Sequence, residues 1–237
     1  MTMDALLVTP VKDSPETTRR TIEAVAAASG NFEYLVFDDF SGPETRQLLR
    51  EESTKLGFTL IDLADHTSNP SPNYKLVLTM AQQKALEYRV PLILIESDVV
   101  IRPNTITGLL EVTRQAVRPG LIGVITVNEQ GEFNFPYSNV RKEATSWSET
   151  SRSLSFCCTL ISREFLDVYD FKGLPSQKDW FDIHISRQSR KLRFKNYLVR
   201  ENGVLHLPHS SRPWKQLKYT HPLKYYFYKL LNHRDRI

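Results

Sequence analysis

Leu92-Ile-Leu-Ile-Glu-Ser-Asp-Val-Val100 is an aliphatic run that stops on two acids with one residue between them. A short apolar run rich in β-branched residues reads as a strand buried on both faces. Acids just beyond such a strand stand where open parallel sheets bind ligands. The segments before it repeat one rhythm. Asp4-Ala-Leu-Leu-Val-Thr-Pro10 is an apolar strand ended by proline. Ser14-Pro15-Glu16 puts a capping residue before a proline at the first helical position, and Ile22, Val25, Ala26 and Ser29 keep a helical spacing up to Gly30. Tyr34 to Phe37 reads as a strand, Pro43 to Leu56 as a helix stopped by Gly57, Thr59 to Leu63 as a strand, and Leu76 to Tyr88 as the helix that leads back into Leu92 to Ile95. Strands alternating with helices in this way predict an α/β fold, a mostly parallel, Rossmann-like sheet with helices on both faces.

Beyond Asp98 the pattern predicts a helix over Asn104 to Val117, a strand over Leu121 to Val127 and a polar loop from Asn128 to Arg152. Loops of that length are usually functional or mobile. Leu154 to Ser162 is strand-like, Arg163 to Val168 a short helix, Trp180 to Arg190 a helix, and Leu192 to Val199 and Asn202 to Leu205 two strand-like stretches. No internal repeat interrupts the chain. It reads as one domain over 1–212, with halves at 1–100 and 101–212, followed by a tail over 213–237.

A chain of 237 residues, 41% hydrophobic and 24% charged, can bury one sizeable core. No apolar run approaches the ~18 residues of a membrane span, and Met1 to Leu7 lacks the basic start and cleavage site of a signal peptide, so a cytoplasmic protein is expected. The two cysteines, Cys157 and Cys158, are adjacent and suit neither an ordinary disulfide nor a four-ligand zinc site by themselves; they read as packing. The net charge is +4. Arg212 to Ile237 holds seven Lys/Arg against Asp235, a balance of +6, so the rest sums to 4 − 6 = −2. A slightly acidic body without a groove-reading motif argues against nucleic acid as a partner.

The residues just after the strands are Thr9-Pro10, Asp38-Asp39 and Glu96-Ser97-Asp98. None is followed by a glycine-rich dinucleotide or Walker loop, which argues against an oxidoreductase or a P-loop enzyme. A phosphate-bearing ligand then needs its charge neutralised otherwise, and carboxylates holding a divalent cation are the hard-ligand solution.

Taken together, Leu6-Leu-Val-Thr-Pro-Val11, Val36-Phe-Asp-Asp-Phe-Ser41, Ile93-Leu-Ile-Glu-Ser-Asp-Val99, and Lys178-Asp179-Trp180 followed by His206 resemble the inverting glycosyltransferases of family 2, with the GT-A fold. The resemblance implies a sugar-nucleotide donor, most simply UDP-linked, and transfer to a hydroxyl of a glycan or lipid-linked acceptor in surface polysaccharide biosynthesis. It implies Asp98 and His206 on Mn²⁺ or Mg²⁺, and Thr9, Pro10, Asp39, Glu96 and Ser97 at the nucleotide, with Glu96 also near the metal. Asp179 is implied as the catalytic base. The chain departs from the pattern at Glu96, where the family has aspartate, at Lys178, where it has an acid, and at Met80-Ala-Gln-Gln83. Plainer readings stand beside these: Asp38 or Asp39 as a cap of the helix after Pro43, Asp179 as a cap of the helix at Trp180, and His206 as a packed core histidine. The rival functions are a sugar-phosphate nucleotidyltransferase and a silent binding subunit that keeps the fold.

The tail carries Leu223, Tyr226, Phe227, Leu230 and Leu231 at i, i+3, i+4, i+7 and i+8, with Lys224, Lys229 and Arg234 beside them. Such a basic amphipathic helix predicts docking on the core, on a partner copy, or on the anionic inner face of the cell membrane.

Overall fold

In a computed structural model that describes residues 3–140, 144–175, 180–208 and 221–231, the strands form a nine-stranded sheet. The elements are β1 (Ala5–Val11), α1 (Pro15–Ala26), β2 (Phe32–Asp38), α2 (Pro43–Leu56), β3 (Thr59–Asp62), α3 (Tyr74–Tyr88), β4 (Leu92–Ile95) and β5 (Val99–Val100). They continue as α4 (Thr105–Gln115), β6 (Pro119–Val127), β7 (Trp147–Thr150), β8 (Cys158–Ile161), α5 (Arg163–Leu166), α6 (Phe181–Lys191), β9 (Lys195–His206) and α7 (Pro222–Leu231). The sheet order is β3-β2-β1-β4-β8-β6-β9-β5, with β7 paired to β9. The run β3-β2-β1-β4 is parallel; β8 joins β4 and β6 in antiparallel register, and β6 and β9 are again parallel. This is the α/β architecture that the alternating pattern predicts.

Successive side chains of a strand point to opposite faces, and here both faces are covered. Leu6, Val8, Leu92 and Leu94 pack with Val77, Leu78 and Ala81 of α3 and with Phe165, Phe181 and Ile185 of α5 and α6. Ala5, Leu7, Ile93 and Ile95 pack with Ile22 and Val25 of α1, Leu49 of α2 and Ile106 and Leu109 of α4. The strands read as continuous aliphatic runs because neither face meets water.

Several boundaries differ from the sequence pattern for identifiable reasons. Pro10 does not end β1: Pro10 and Val11 still pair with Phe37 and Asp38, whereas the register with β4 stops at Val8 and Leu94. A residue without an N–H is tolerated where one flanking strand has gone. Helix α3 starts at Tyr74 rather than Leu76, because Asn73 is tied down before it. Of the expected strand Leu154 to Ser162, only Cys158–Ile161 is extended in the sheet. Leu154 N–H donates instead to Ser186 Oγ at 2.9 Å and Ser155 N–H to the Tyr137 hydroxyl at 2.9 Å. β7 lies inside the stretch expected to be loop, a short polar strand that adds to β9.

The two stretches expected at Leu192 to Val199 and Asn202 to Leu205 are one strand, β9. It absorbs its polar middle as an irregularity opposite Val124 and Thr126, where Asn202 has φ 55°. A Cβ on Gly203 would lie 2.8 Å from Val127 Cγ1, so glycine is what lets β9 close on β6 there.

Candidate active site

The parallel half brings the ends of β1, β2 and β4 to one edge. Two of these ends are strained and cross-tied. Asp13, Ser14 and Phe40 adopt left-handed backbone conformations at φ 58°, 61° and 60°, which costs a bulky L-residue of order 1–3 kcal/mol unless its surroundings hold it. Three contacts hold them: Asp13 N–H donates to Ser41 Oγ at 3.0 Å, Gly42 N–H donates to Asp13 Oδ1 at 2.7 Å, and Lys12 Nζ donates to the Phe40 carbonyl. Asp38 accepts from Ser41 N–H at 3.0 Å and faces Arg46 Nε at 3.5 Å. Neither it nor Asp39 caps α2, whose N-cap is Gly42.

Asp39 is buried and accepts three hydrogen bonds, from Ser71 Oγ at 2.7 Å, Asn73 N–H at 2.8 Å and Asn73 Nδ2 at 2.7 Å. An ionised carboxylate offers about four lone-pair positions, so one direction remains for a ligand. Thr9 is fully buried inside β1, where its Oγ1 accepts from the Tyr34 hydroxyl at 2.9 Å. Pro10 and Ser97 are partly exposed.

After β4 the chain makes a tight turn, closed by Val99 N–H donating to the Glu96 carbonyl at 3.1 Å. Glu96 N–H donates to the Cys157 carbonyl at 3.1 Å, which fixes the turn against the approach to β8. The far side is made by β9, since β5 pairs with it so that Val99 stands opposite His206. His206 Nε2 therefore lies 3.5 Å from Asp98 Oδ2, with both residues buried. Its Nδ1 is 2.6 Å from the Phe135 carbonyl. A carbonyl can only accept, so Nδ1 carries the proton and the Nε2 of a neutral ring presents a lone pair. Asn134 Nδ2 donates to the His206 carbonyl at 3.0 Å, completing the clamp from the long loop. Metal-bound histidines are oriented through such outer contacts.

One carboxylate oxygen of Glu96, the Cys157 sulfur and one ring nitrogen of His206 all lie within 4.8 Å of one another. With Asp98 beside His206, these donors are compatible in kind and spacing with a divalent ion. Burial, then the Glu96 and Asp98 charges, push the Cys157 thiol well above its usual range. Tyr74, at the start of α3, is held protonated by burial first and then by the Glu96, Asp182 and Cys157 charges.

The structure thus brings together Glu96, Asp98 and His206 from the sequence reading and sets Ser97 in the same turn. Asp39 is at the same sheet edge, while Thr9 turns its side chain inward. Asp179 and Lys178 lie outside the described residues. The sequence reading of Cys157 as packing holds, since it is buried in the aliphatic layer with Cys158, but that reading does not give the contact of its sulfur with Glu96, nor the place of Tyr74. It also missed Asn134 and Phe135 individually, although their loop stood out by length and polarity.

No curated protein sequence matches the chain. Among solved structures, one similar to it is the mannosyltransferase PcManGT from Pyrobaculum calidifontis, in complex with GDP-Man and Mn²⁺. The TM-score is 0.65 at 13% identity, over 97% of this chain and 65% of that one. TarS residues 1–349 from S. aureus, in complex with UDP, gives 0.63 at 15% identity, over 91% and 64%. Glucosyl-3-phosphoglycerate synthase from Mycobacterium tuberculosis, in complex with Mn²⁺, UDP and glucosyl-3-phosphoglycerate, gives 0.58 at 15%, over 91% and 75%. The chain spans just under two thirds of the first two proteins. At these identities the likeness is one of fold, and the fold is GT-A. A family profile, described as glycosyl transferase family 2, matches residues 6–170, well over half of the sequence, and the chain belongs to that family.

Proposed function

We propose that the chain transfers a sugar from a nucleotide-diphospho-sugar, UDP-linked, to a hydroxyl of a glycan or glycolipid acceptor in surface polysaccharide biosynthesis, with inversion at the sugar carbon. The observation that carries this reading is the cluster of Glu96, Asp98 and His206 at the end of β4, clamped by β9 and the Asn134–Phe135 loop. In this reading Asp98 and His206, with Glu96 beside them, hold Mn²⁺ or Mg²⁺. When bound, such an ion supplies positive charge against the diphosphate of the departing nucleotide. Asp39 accepts a hydrogen bond from an N–H of the base through its remaining lone pair, and the Pro10 and Ser97 segments border the nucleoside, with Thr9 shaping the strand beneath. Asp179, two residues before α6 in sequence, takes the acceptor hydroxyl proton as the oxygen attacks the anomeric carbon from the face opposite the diphosphate. Lys178 next to it favours the ionised, basic form.

The test is thermal. UDP should raise the melting temperature in the presence of Mn²⁺ and leave it within error in EDTA, because the ion joins protein acids to phosphates. Equal stabilisation in EDTA would sink the metal-bridged reading. Slow hydrolysis of one donor from a panel of sugar nucleotides would separate an enzyme from a silent subunit.

Association with an anionic membrane surface belongs to the same proposal. Among the described residues no helix is long and apolar enough to cross a membrane. The stripe on α7 is nevertheless exposed: Leu223, Tyr226, Phe227, Leu230 and Leu231 all face outward, from 57% to 88% accessible. Apolar depth on α7 and the +6 balance of residues 212–237 are the two halves of an interfacial anchor, each basic residue contributing on the order of 1 kcal/mol near anionic lipid. Removing residues 214–237 should release the protein from phosphatidylglycerol liposomes while donor hydrolysis continues. An unfolded truncated chain would assign the stripe to the core or to a partner copy instead.

A further inference from the structure

The ligand set carries a sulfur atom. Cys157 Sγ lies 3.3 Å from Glu96 Oε2, inside the cluster that also contains the His206 ring nitrogen. Two donors bonded tetrahedrally to one ion at about 2.0–2.3 Å lie roughly 3.3–3.8 Å apart. The 3.3 Å from Cys157 Sγ to Glu96 Oε2 already matches that spacing, and from the cluster's outer limit of 4.8 Å the donors have up to about 1–1.5 Å to close. The hydrogen bond between Glu96 N–H and the Cys157 carbonyl holds the two backbones together, and His206 is clamped by Phe135 and Asn134. The sulfur also has an outer contact. Cys157 N–H points to Ser155 Oγ at 3.4 Å and Ser155 Oγ is 3.2 Å from Cys157 Sγ, so the serine hydroxyl hydrogen is free to be donated to the sulfur. Thiolate ligands are commonly oriented by donors of this kind. Cys158, the next residue and the first of β8, pairs with Ile95, and both cysteines are buried in the aliphatic layer beneath α1 and α4.

We propose that Cys157 is itself a ligand of the divalent ion, which makes the centre one of mixed oxygen, nitrogen and sulfur donors and favours Zn²⁺ and Co²⁺ over Mg²⁺. On ligation the ion takes the place of the thiol proton, which passes to solvent, and the sulfur donates an electron pair to the metal with no change in oxidation state. Sulfur selects softer ions, whereas an all-oxygen set suits Mg²⁺ and Mn²⁺. The inference rests on the reading of Glu96, Asp98 and His206 as a metal centre, and its test keeps the two apart.

Co²⁺ is titrated into the full, chelator-treated chain, and absorption is followed in the near ultraviolet and the visible. The expected result is a thiolate-to-cobalt charge-transfer band that saturates at one equivalent, disappears in Cys157→Ser and persists in Cys158→Ala. Competition by Zn²⁺ should weaken by at least about tenfold in Cys157→Ser, while competition by Mg²⁺ changes by less than about twofold. Visible ligand-field bands without the charge-transfer band would overturn Cys157 as a ligand and leave the metal centre standing. A charge-transfer band that survives Cys157→Ser would overturn it equally. No Co²⁺ spectrum at all, with or without UDP, would remove the metal centre and this inference together.

Discussion

Asp98→Ala is expected to lower transfer by roughly 10³-fold or more while leaving the fold in place. A divalent ion at a developing diphosphate is worth several kcal/mol, and each ~1.4 kcal/mol is a factor of ten in rate. The fold should survive because the structural contact of this residue is made by its backbone: the Asp98 carbonyl accepts from Leu207 N–H at 2.8 Å, and the strand register sets Val99 opposite His206. The side chain faces the histidine, so what is lost is the negative charge beside Nε2. The measurement is kcat/KM for transfer in saturating Mn²⁺, with the melting temperature of the ligand-free variant as the control for folding. A loss smaller than tenfold with an unchanged melting temperature would move the ion, or the need for one, away from Asp98.

Asp179→Asn should cost about 10²-fold or more in kcat with little change in the KM for the donor, since general-base assistance is worth about that much. Asparagine keeps the size and the capping ability of aspartate and removes the basic charge. A purely structural cap would therefore be replaced almost without effect, and a base would not. Near-wild-type turnover would shift the role to Asp182 in the first turn of α6, whose charge already reaches the Tyr74 and Tyr137 hydroxyls.

The parallel half is legible in the sequence because every element there announces its own ends. Pro15 and Pro43 open helices, Gly57 closes one, and the central strands β1 and β4 carry the aliphatic runs Ala5 to Val8 and Leu92 to Ile95, as burial on two faces requires. The second half hides its architecture in long-range pairing. β7 is polar and β5 is two residues long, so neither has a pattern of its own, and each exists only because β9 runs beside it. The site divides in the same way. Glu96 and Asp98 are visible as acids after a buried strand. Cys157 has no such marker, because its place beside Glu96 comes from the antiparallel pairing of β4 with β8, which no local pattern encodes. Asp39 is visible as an acid, but its three hydrogen bonds to Ser71 and Asn73 are not, since they join segments more than thirty residues apart.

The partner of Asp98 is delivered by the last strand of the sheet. His206 stands 206 − 98 = 108 residues later in the chain, and β9 must align with β5, β6 and β7 before the two side chains meet. During synthesis the first parallel strands and their helices can collapse on each other as they emerge, but the centre between β4 and β9 cannot exist until His206 has left the ribosome. Pairings this distant in sequence are slow to form. A ligand that needs both residues can therefore stabilise the finished protein without assisting the early steps of its folding, and a translation arrest between Asp98 and β9 yields a chain with the acids after β4 in place and no histidine to meet them.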